Sequence, residues 1–241
     1  MTDSLTFFVT AIGIVLAAAG VYIIVPHLYR KLRTKELANI CRRERLVALT
    51  YDDGPGSALT EKLLDCLKNE NVRATFFVLG HRADVAENLI SAYIENRHDV
   101  GSHTYSHLHA WKALPTSCAI DIERGRKIVD RLGGNGLFFR PTYGKLNIFT
   151  FVYVLVRRYR ILWWTIDTAD SQEEPKSIDR VLGEIDSKGG GVVLMHDFDH
   201  YKTGDHIDYV LTMTKAIITH ARSNNMRLLP LSEIVDRPTG T

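Results

Sequence analysis

Apolar positions divide the chain into one unbroken run and a periodic body. Residues 5–25 (LTFFVTAIGIVLAAAGVYIIV) carry no formal charge. As a helix they would extend about 31 Å, matching a bilayer's ~30 Å hydrocarbon core. Beyond Pro26, short apolar runs alternate with amphipathic stretches. Runs at 46–53 and 74–80 read as buried strands. Between and after them, Leu63, Leu64 and Leu67 mark a helix over 59–70. Ala86, Leu89, Ile90, Tyr93 and Ile94 mark another over 82–96. Residues 99–107 read as a strand entering a polar loop, and 116–132 as a helix stopped by Gly133-Gly134. Strands are predicted at 137–140, 161–167, 192–196 and 227–231, with a helix over 207–223. Residues 148–156 (IFTFVYVLV) are apolar all round, which predicts a helix buried between neighbours. Arg157, Arg158 and Arg160 follow it, so a second bilayer contact is the alternative.

Strands alternating with helices imply βαβ units and a parallel sheet. About seven strands in roughly 195 residues suit a barrel-like α/β fold, whose chemistry sits at the ends of its strands. The expected organisation is a tail and transmembrane anchor (1–25), a basic juxtamembrane segment (26–45) and one catalytic domain (46–236).

Composition narrows this reading. The chain has 241 residues, 45% hydrophobic and 24% charged, which excludes a disordered, collagenous or wholly embedded protein. Three cysteines are too few for a disulfide scaffold. Through residue 45 there are seven Lys/Arg against three Asp/Glu, and the remainder is slightly acidic, so nothing favours nucleic acid. The basic residues follow the apolar run and none precedes it. That asymmetry predicts a single-pass protein with its body on the cytoplasmic face, the periplasm or cell exterior being the alternative. The basic stretch would also suit anionic headgroups. A cleaved signal peptide competes, because Ala17 and Ala19 have the small-residue look of a cleavage site. Against it, no Lys or Arg comes first and the run continues six residues past Ala19.

Five strand tips carry reactive side chains. Thr50-Tyr51-Asp52-Asp53-Gly54-Pro55 sets two carboxylates side by side, which is costly unless a cation or Arg compensates. The same residues would also make an ordinary β-turn. His103-Thr104-Tyr105-Ser106-His107 spaces two imidazoles so that one metal can be reached, or forms a solvated His-rich loop. Phe139-Arg140-Pro141-Thr142-Tyr143-Gly144 presents an Arg able to pair with a carboxylate, or a surface Arg before a turn. Asp167 and Asp170 end the fourth cluster. Leu194-Met195-His196 delivers an imidazole to a strand tip, where a satisfied core histidine is the plain alternative. Taken together, one Asp and two His make a facial triad with open positions, leaving a second Asp as base and another His as acid.

The ordered series TYDDGP, HTYSH, FRPTYG, TIDTAD and LMH resembles the five motifs of NodB-type polysaccharide deacetylases, carbohydrate esterase family 4. The resemblance runs through roughly residues 46–235. It implies a distorted (β/α)7 barrel holding one divalent metal, usually zinc, with cobalt, nickel or manganese as alternatives. It implies an enzyme that removes N-acetyl groups from amino sugars. Asp53, His103 and His107 resemble the metal ligands. Asp52 resembles the general base, and His196 the general acid. Arg140 resembles the tether of Asp52, and Asp170 the partner that keeps His196 cationic. The Tyr143 backbone N–H resembles an oxyanion donor, and Leu194 the wall of the acetyl pocket. Ser171 departs from the pattern, where the family often has a Trp that walls the substrate groove. Tyr51 replaces a Phe conservatively.

An inward-facing domain would meet a lipid-linked amino sugar or glycolipid at the bilayer. The alternative substrate is an exported polymer of chitin, peptidoglycan or exopolysaccharide type. A deformylase or other amide hydrolase using the same site, and a non-catalytic glycan-binding protein, are further alternatives. The last would require a lost ligand or a lost His196, and neither is lost.

Overall fold

The computed structural model describes residues 2–198 and 204–237, with side chains described from residue 20 to 198 and from 206 to 237. Eight strands form one parallel sheet: β1 (Leu46–Asp52), β2 (Thr75–Val78), β3 (Asp99–Ser102), β4 (Phe138–Phe139), β5 (Arg160–Ile161), β6 (Ile166–Asp167), β7 (Gly191–His196) and β8 (Arg227–Leu228). Their order is β5-β4-β3-β2-β1-β7-β6. β7 pairs β1 from Val47 to Asp52, while β2 meets only Thr50 to Asp52. β8 therefore takes the length of β1 that β2 leaves free, pairing Leu46 and Val47.

The central strands are buried on both faces, and their alternation sorts core from site. Val47, Leu49 and Tyr51 pack outward with Phe76, Val78, Val193 and Met195 in the larger core. Leu46 and Ala48 face the other way, with Phe77 and Val192. Thr50 and Asp52 continue that second face, because strand side chains alternate.

The (β/α)7 expectation holds as a curled parallel half-barrel, and it is corrected at the seam. Residues 161–167 do not form one strand. β5 and β6 are two-residue strands on opposite edges of the sheet, joined by only four residues. Leu162 N–H donates to Phe139 on one edge, and Thr165 N–H to Val192 on the other. The five Cα steps from Ile161 to Ile166 span at most about 18 Å, so the edges come close without pairing. Buried Arg140 occupies this crossing and donates to the carbonyls of Leu162 and Trp163.

The helices are α1 (Thr2–Glu44), α2 (Ala58–Asn69), α3 (Gly80–Ala83), α4 (Glu87–Glu95), α5 (Pro115–Arg131), α6 (Ile148–Val156), α7 (Ile178–Lys188), α8 (Gly204–Ser223) and α9 (Leu231–Val235). α1 continues through Pro26, and its Leu37, Ile40 and Cys41 join Phe77, Phe138, Leu162 and Val192 in the second core. The basic segment is thus partly structural. Among the described residues, no helix is long and apolar enough to cross a membrane. Through residue 19, the side chains of the expected 5–25 anchor lie outside the described set.

Three further elements differ from expectation. The helix expected over 82–96 is two helices, α3 and α4, broken where Val85 turns outward. The last strand stops at Leu228, and Pro230 precedes α9, a helix the apolar pattern did not predict. α6 is not buried between neighbours. Phe151 and Val154 face the core, but Phe149, Val152, Leu155 and Val156 are exposed.

Candidate active site

The five motif segments meet at the C-terminal ends of the strands. Asp52 ends β1, and Asp53 turns off it with a left-handed φ of 68° before the cis Gly54–Pro55 peptide. That turn lets two consecutive carboxylates face one site, which a continued strand would forbid. Arg82 Nη1 donates to the Asp53 carbonyl at 2.9 Å and holds the turn.

His103 and His107 leave β3 on a loop with left-handed Thr104 and His107. α5 supports this loop. Asp121 accepts from the Ser106 backbone N–H (3.0 Å) and hydroxyl (2.6 Å). Gly125 allows the approach, since a Cβ there would lie 2.4 Å from the Thr104 carbonyl. One oxygen of Asp53 and one ring nitrogen of each histidine all lie within 4.8 Å of one another. Asp53 Oδ1 is 3.5 Å from His103 Nε2 and 3.2 Å from His107 Nε2. This buried oxygen has no hydrogen-bond donor. His103 Nδ1–H donates to the Arg140 carbonyl at 2.7 Å, leaving Nε2 as the free lone pair. Burial, with the charge of His107 and Arg140, pulls His103 down to about 3 against Asp53. Two imidazole nitrogens converging on an undonated carboxylate oxygen fit a divalent cation.

Asp52 is buried and paired. Arg140 Nη1 donates to its Oδ1 and to Thr50 Oγ1, each at 2.8 Å. The guanidinium is fully buried, 4.1 Å from the Phe77 ring centroid. Burial pushes the Asp52 carboxyl up from its usual range, against the pull of Arg140 and His196.

His196 ends β7 in register with Asp52. Its Nδ1–H donates to Asp170 Oδ1 at 2.8 Å, and its backbone N–H to Oδ2 at 2.7 Å. Burial works against the imidazolium, but Asp170, Asp53 and Asp52 push His196 up to about 10. Burial likewise opposes the Asp170 carboxylate, which His196 holds below its usual range. Leu194 lies buried two residues before His196 on the same strand face. Tyr143 is exposed at the mouth with a left-handed φ of 56°. The cluster therefore brings together Asp52, Asp53, His103, His107, Arg140, Asp170 and His196, with Tyr143 against His107 and Leu194 on the strand face of His196. The motifs did not reveal Thr50 as an Arg140 partner, nor Asp121, Arg82 and Arg30 as supports. Arg30 Nη1 donates to the Gly144 carbonyl at 2.9 Å.

A family model described as polysaccharide deacetylase matches residues 39–153. A peptidoglycan-N-acetylglucosamine deacetylase of Bacillus cereus is 32% identical over 188 residues, 77% of this chain and 66% of that protein. Peptidoglycan-N-acetylglucosamine deacetylase PgdA of Listeria monocytogenes is 34% identical, over 73% of this chain and 37% of its own length. The chain thus spans from about a third to two thirds of these relatives. The crystal structure of the Bc1960 peptidoglycan N-acetylglucosamine deacetylase aligns with a TM-score of 0.72 at 29% identity, covering 83% of this chain and 92% of that one.

Proposed function

The chain belongs to the polysaccharide deacetylase family, and from that premise we propose that it is a metal-dependent hydrolase removing N-acetyl groups from the amino sugars of a cell-wall polysaccharide. The observation that carries the reading is Asp53 Oδ1, undonated between two imidazole Nε2 atoms and flanked by the Asp52–Arg140 and His196–Asp170 pairs. The relatives named for peptidoglycan favour the wall polymer over the lipid-linked sugar that the basic flank suggests.

Asp53, His103 and His107 would hold the cation, for which zinc suits the two-His, one-carboxylate set. A divalent cation bound there lowers the pKa of water and polarises the amide carbonyl. Asp52 takes the proton of the attacking water, and Arg140 fixes that carboxylate in place. The Tyr143 backbone N–H donates to the oxygen that gains charge as the carbonyl is attacked. His196, kept protonated by Asp170, gives its proton to the departing amine nitrogen. Leu194 lines the space for the acetyl methyl.

We further propose that the apolar run 5–25 would serve as a membrane anchor, in which case a wall substrate requires the domain to face outward, against the flank-charge rule. Acetate release from peptidoglycan by Asp52→Asn tests the roles. The variant should retain stoichiometric metal and fold while losing about a hundredfold or more in kcat. Near-wild-type turnover would overturn the base assignment.

A further inference from the structure

We propose that Tyr143, His109 and Trp111, with Lys145 among them, form a second sugar subsite running outward from the metal-ligand cluster, and that it takes an amino sugar bearing a carboxylate. The proposal rests on the deacetylase reading above. An aromatic line begins at the site itself. The His107 ring centroid is 4.6 Å from that of Tyr143, which is 4.8 Å from that of His109. His109 is 6.1 Å from Trp111. Tyr143 is 52% exposed and Trp111 40% exposed. Aromatic surface left in water beside a catalytic cleft is the partner that the apolar C–H face of a pyranose needs, its hydroxyls staying solvated at the rim.

Cross-links between two loops hold this surface. Trp111 Nε1–H donates to the Leu146 carbonyl at 3.0 Å. Asn147 Nδ2–H donates to the Ala110 carbonyl at 2.7 Å, and the Thr142 hydroxyl to the Leu108 carbonyl at 2.6 Å. Stretch 108–111 is thereby fastened to stretch 142–147 at three points. A stacking platform fixed before the ligand arrives loses little entropy on binding. With Ser171 in place of the groove Trp, this line supplies a different wall.

Lys145 gives the subsite its sign. Its Nζ lies 4.7 Å from the Trp111 ring centroid and 3.5 Å from His109 Nε2. Among the described residues, no carboxylate lies within 4.0 Å of it. A cation held over an aromatic rim without an internal counter-ion matches an acidic group on the ligand. In an alternating wall glycan, that group is the carboxylate of the neighbouring amino sugar.

The test compares the purified full-length protein with Trp111→Ala and Lys145→Gln on three substrates. These are monomeric N-acetylglucosamine, neutral chitotetraose, and a peptide-free peptidoglycan tetrasaccharide. Trp111→Ala should raise KM on both tetrasaccharides by about three- to tenfold, the worth of one aromatic contact, and leave KM on the monomer unchanged. Lys145→Gln should raise KM on the acidic tetrasaccharide alone. Lys145 is half-buried and outside the hydrophobic core, so this conservative substitution remains readable if Trp111→Ala fails to fold. An active wild type whose KM on every substrate is left unchanged by both substitutions would overturn the subsite and leave the deacetylase reading intact. A wild type that releases no acetate from any substrate would overturn both.

Discussion

Asp52 and Asp53 are chain neighbours in different electrostatic settings. Asp52 lies against a buried guanidinium, and Asp53 faces the ring nitrogens of two histidines. The left-handed turn at Asp53 separates their tasks. His196 supplies the complementary charge, and its pH behaviour has a definite sign. Its pKa is pushed up to about 10, so it keeps its proton below that pH and loses it above. Asp52, pushed above the usual carboxylate range, must instead be ionised. The rate should therefore rise as Asp52 ionises and fall as pH passes through about 10. Asp170→Asn removes the carboxylate that holds the proton on His196, so the alkaline limb should move to lower pH. A kcat/KM profile of the two proteins checks this, and coincident alkaline limbs would contradict it. At this scale Asp52, Asp53, His103, His107, Arg140, Asp170 and His196 were legible because Asp, His and Arg recur at strand tips, while Tyr143 and Leu194 came from the family resemblance alone. Asp121 and Arg82 were not. On a helix, a charged residue reads as solvated surface, and only tertiary placement turns it toward a loop.

Among the elements, periodicity located the amphipathic helices and the longer strands. α2 and α5 fall within a residue of expectation at each end, and β7 begins one residue early. Two-residue strands leave no periodic trace, so the stretch 161–167 read as one strand instead of two edges. α9 was missed because five residues are too short for a helical pattern to stand out. The element with the strongest bearing on chemistry is α1. Its Arg30 donates to Gly144 and lies 4.6 Å from the Trp164 ring centroid. Gly144 has a left-handed φ of 61°, and a Cβ there would lie 2.6 Å from both Arg30 Nη1 and Trp164 Cη2. The helix thus fixes the loop that carries Tyr143. Arg30→Ala should lower kcat by about ten- to a hundredfold, with metal content kept, as small misplacements of catalytic groups do. Steady-state kinetics beside metal analysis would show it, and an unchanged kcat would mean that α1 is only a brace.

The molecule as a whole is a half-barrel whose open side is filled by α1 and α9. The helix that would enter the membrane also packs into the second core and reaches the catalytic loop through Arg30. Beyond residue 19, Val21, Ile24, Leu28 and Leu32 of α1 are exposed, and Tyr22 meets exposed Phe149 of α6 with centroids 6.0 Å apart. Composition could not reveal this sharing, because one apolar residue in a basic segment looks the same whether it faces lipid or core. With the domain outside the membrane, a C-terminal alkaline phosphatase fusion should be active and a green fluorescent fusion dark. The reverse pair would place the domain inside and restore the lipid-linked substrate.

The most direct measurement follows acetate released from N-acetylated peptidoglycan by the purified protein during chelation and metal restoration. The account predicts steady release from the untreated enzyme, loss on chelation and recovery when a divalent cation is returned. His103→Ala/His107→Ala should neither bind the cation nor recover. Release that persists after complete chelation, or an untreated enzyme that frees no acetate from the polymer, would contradict it.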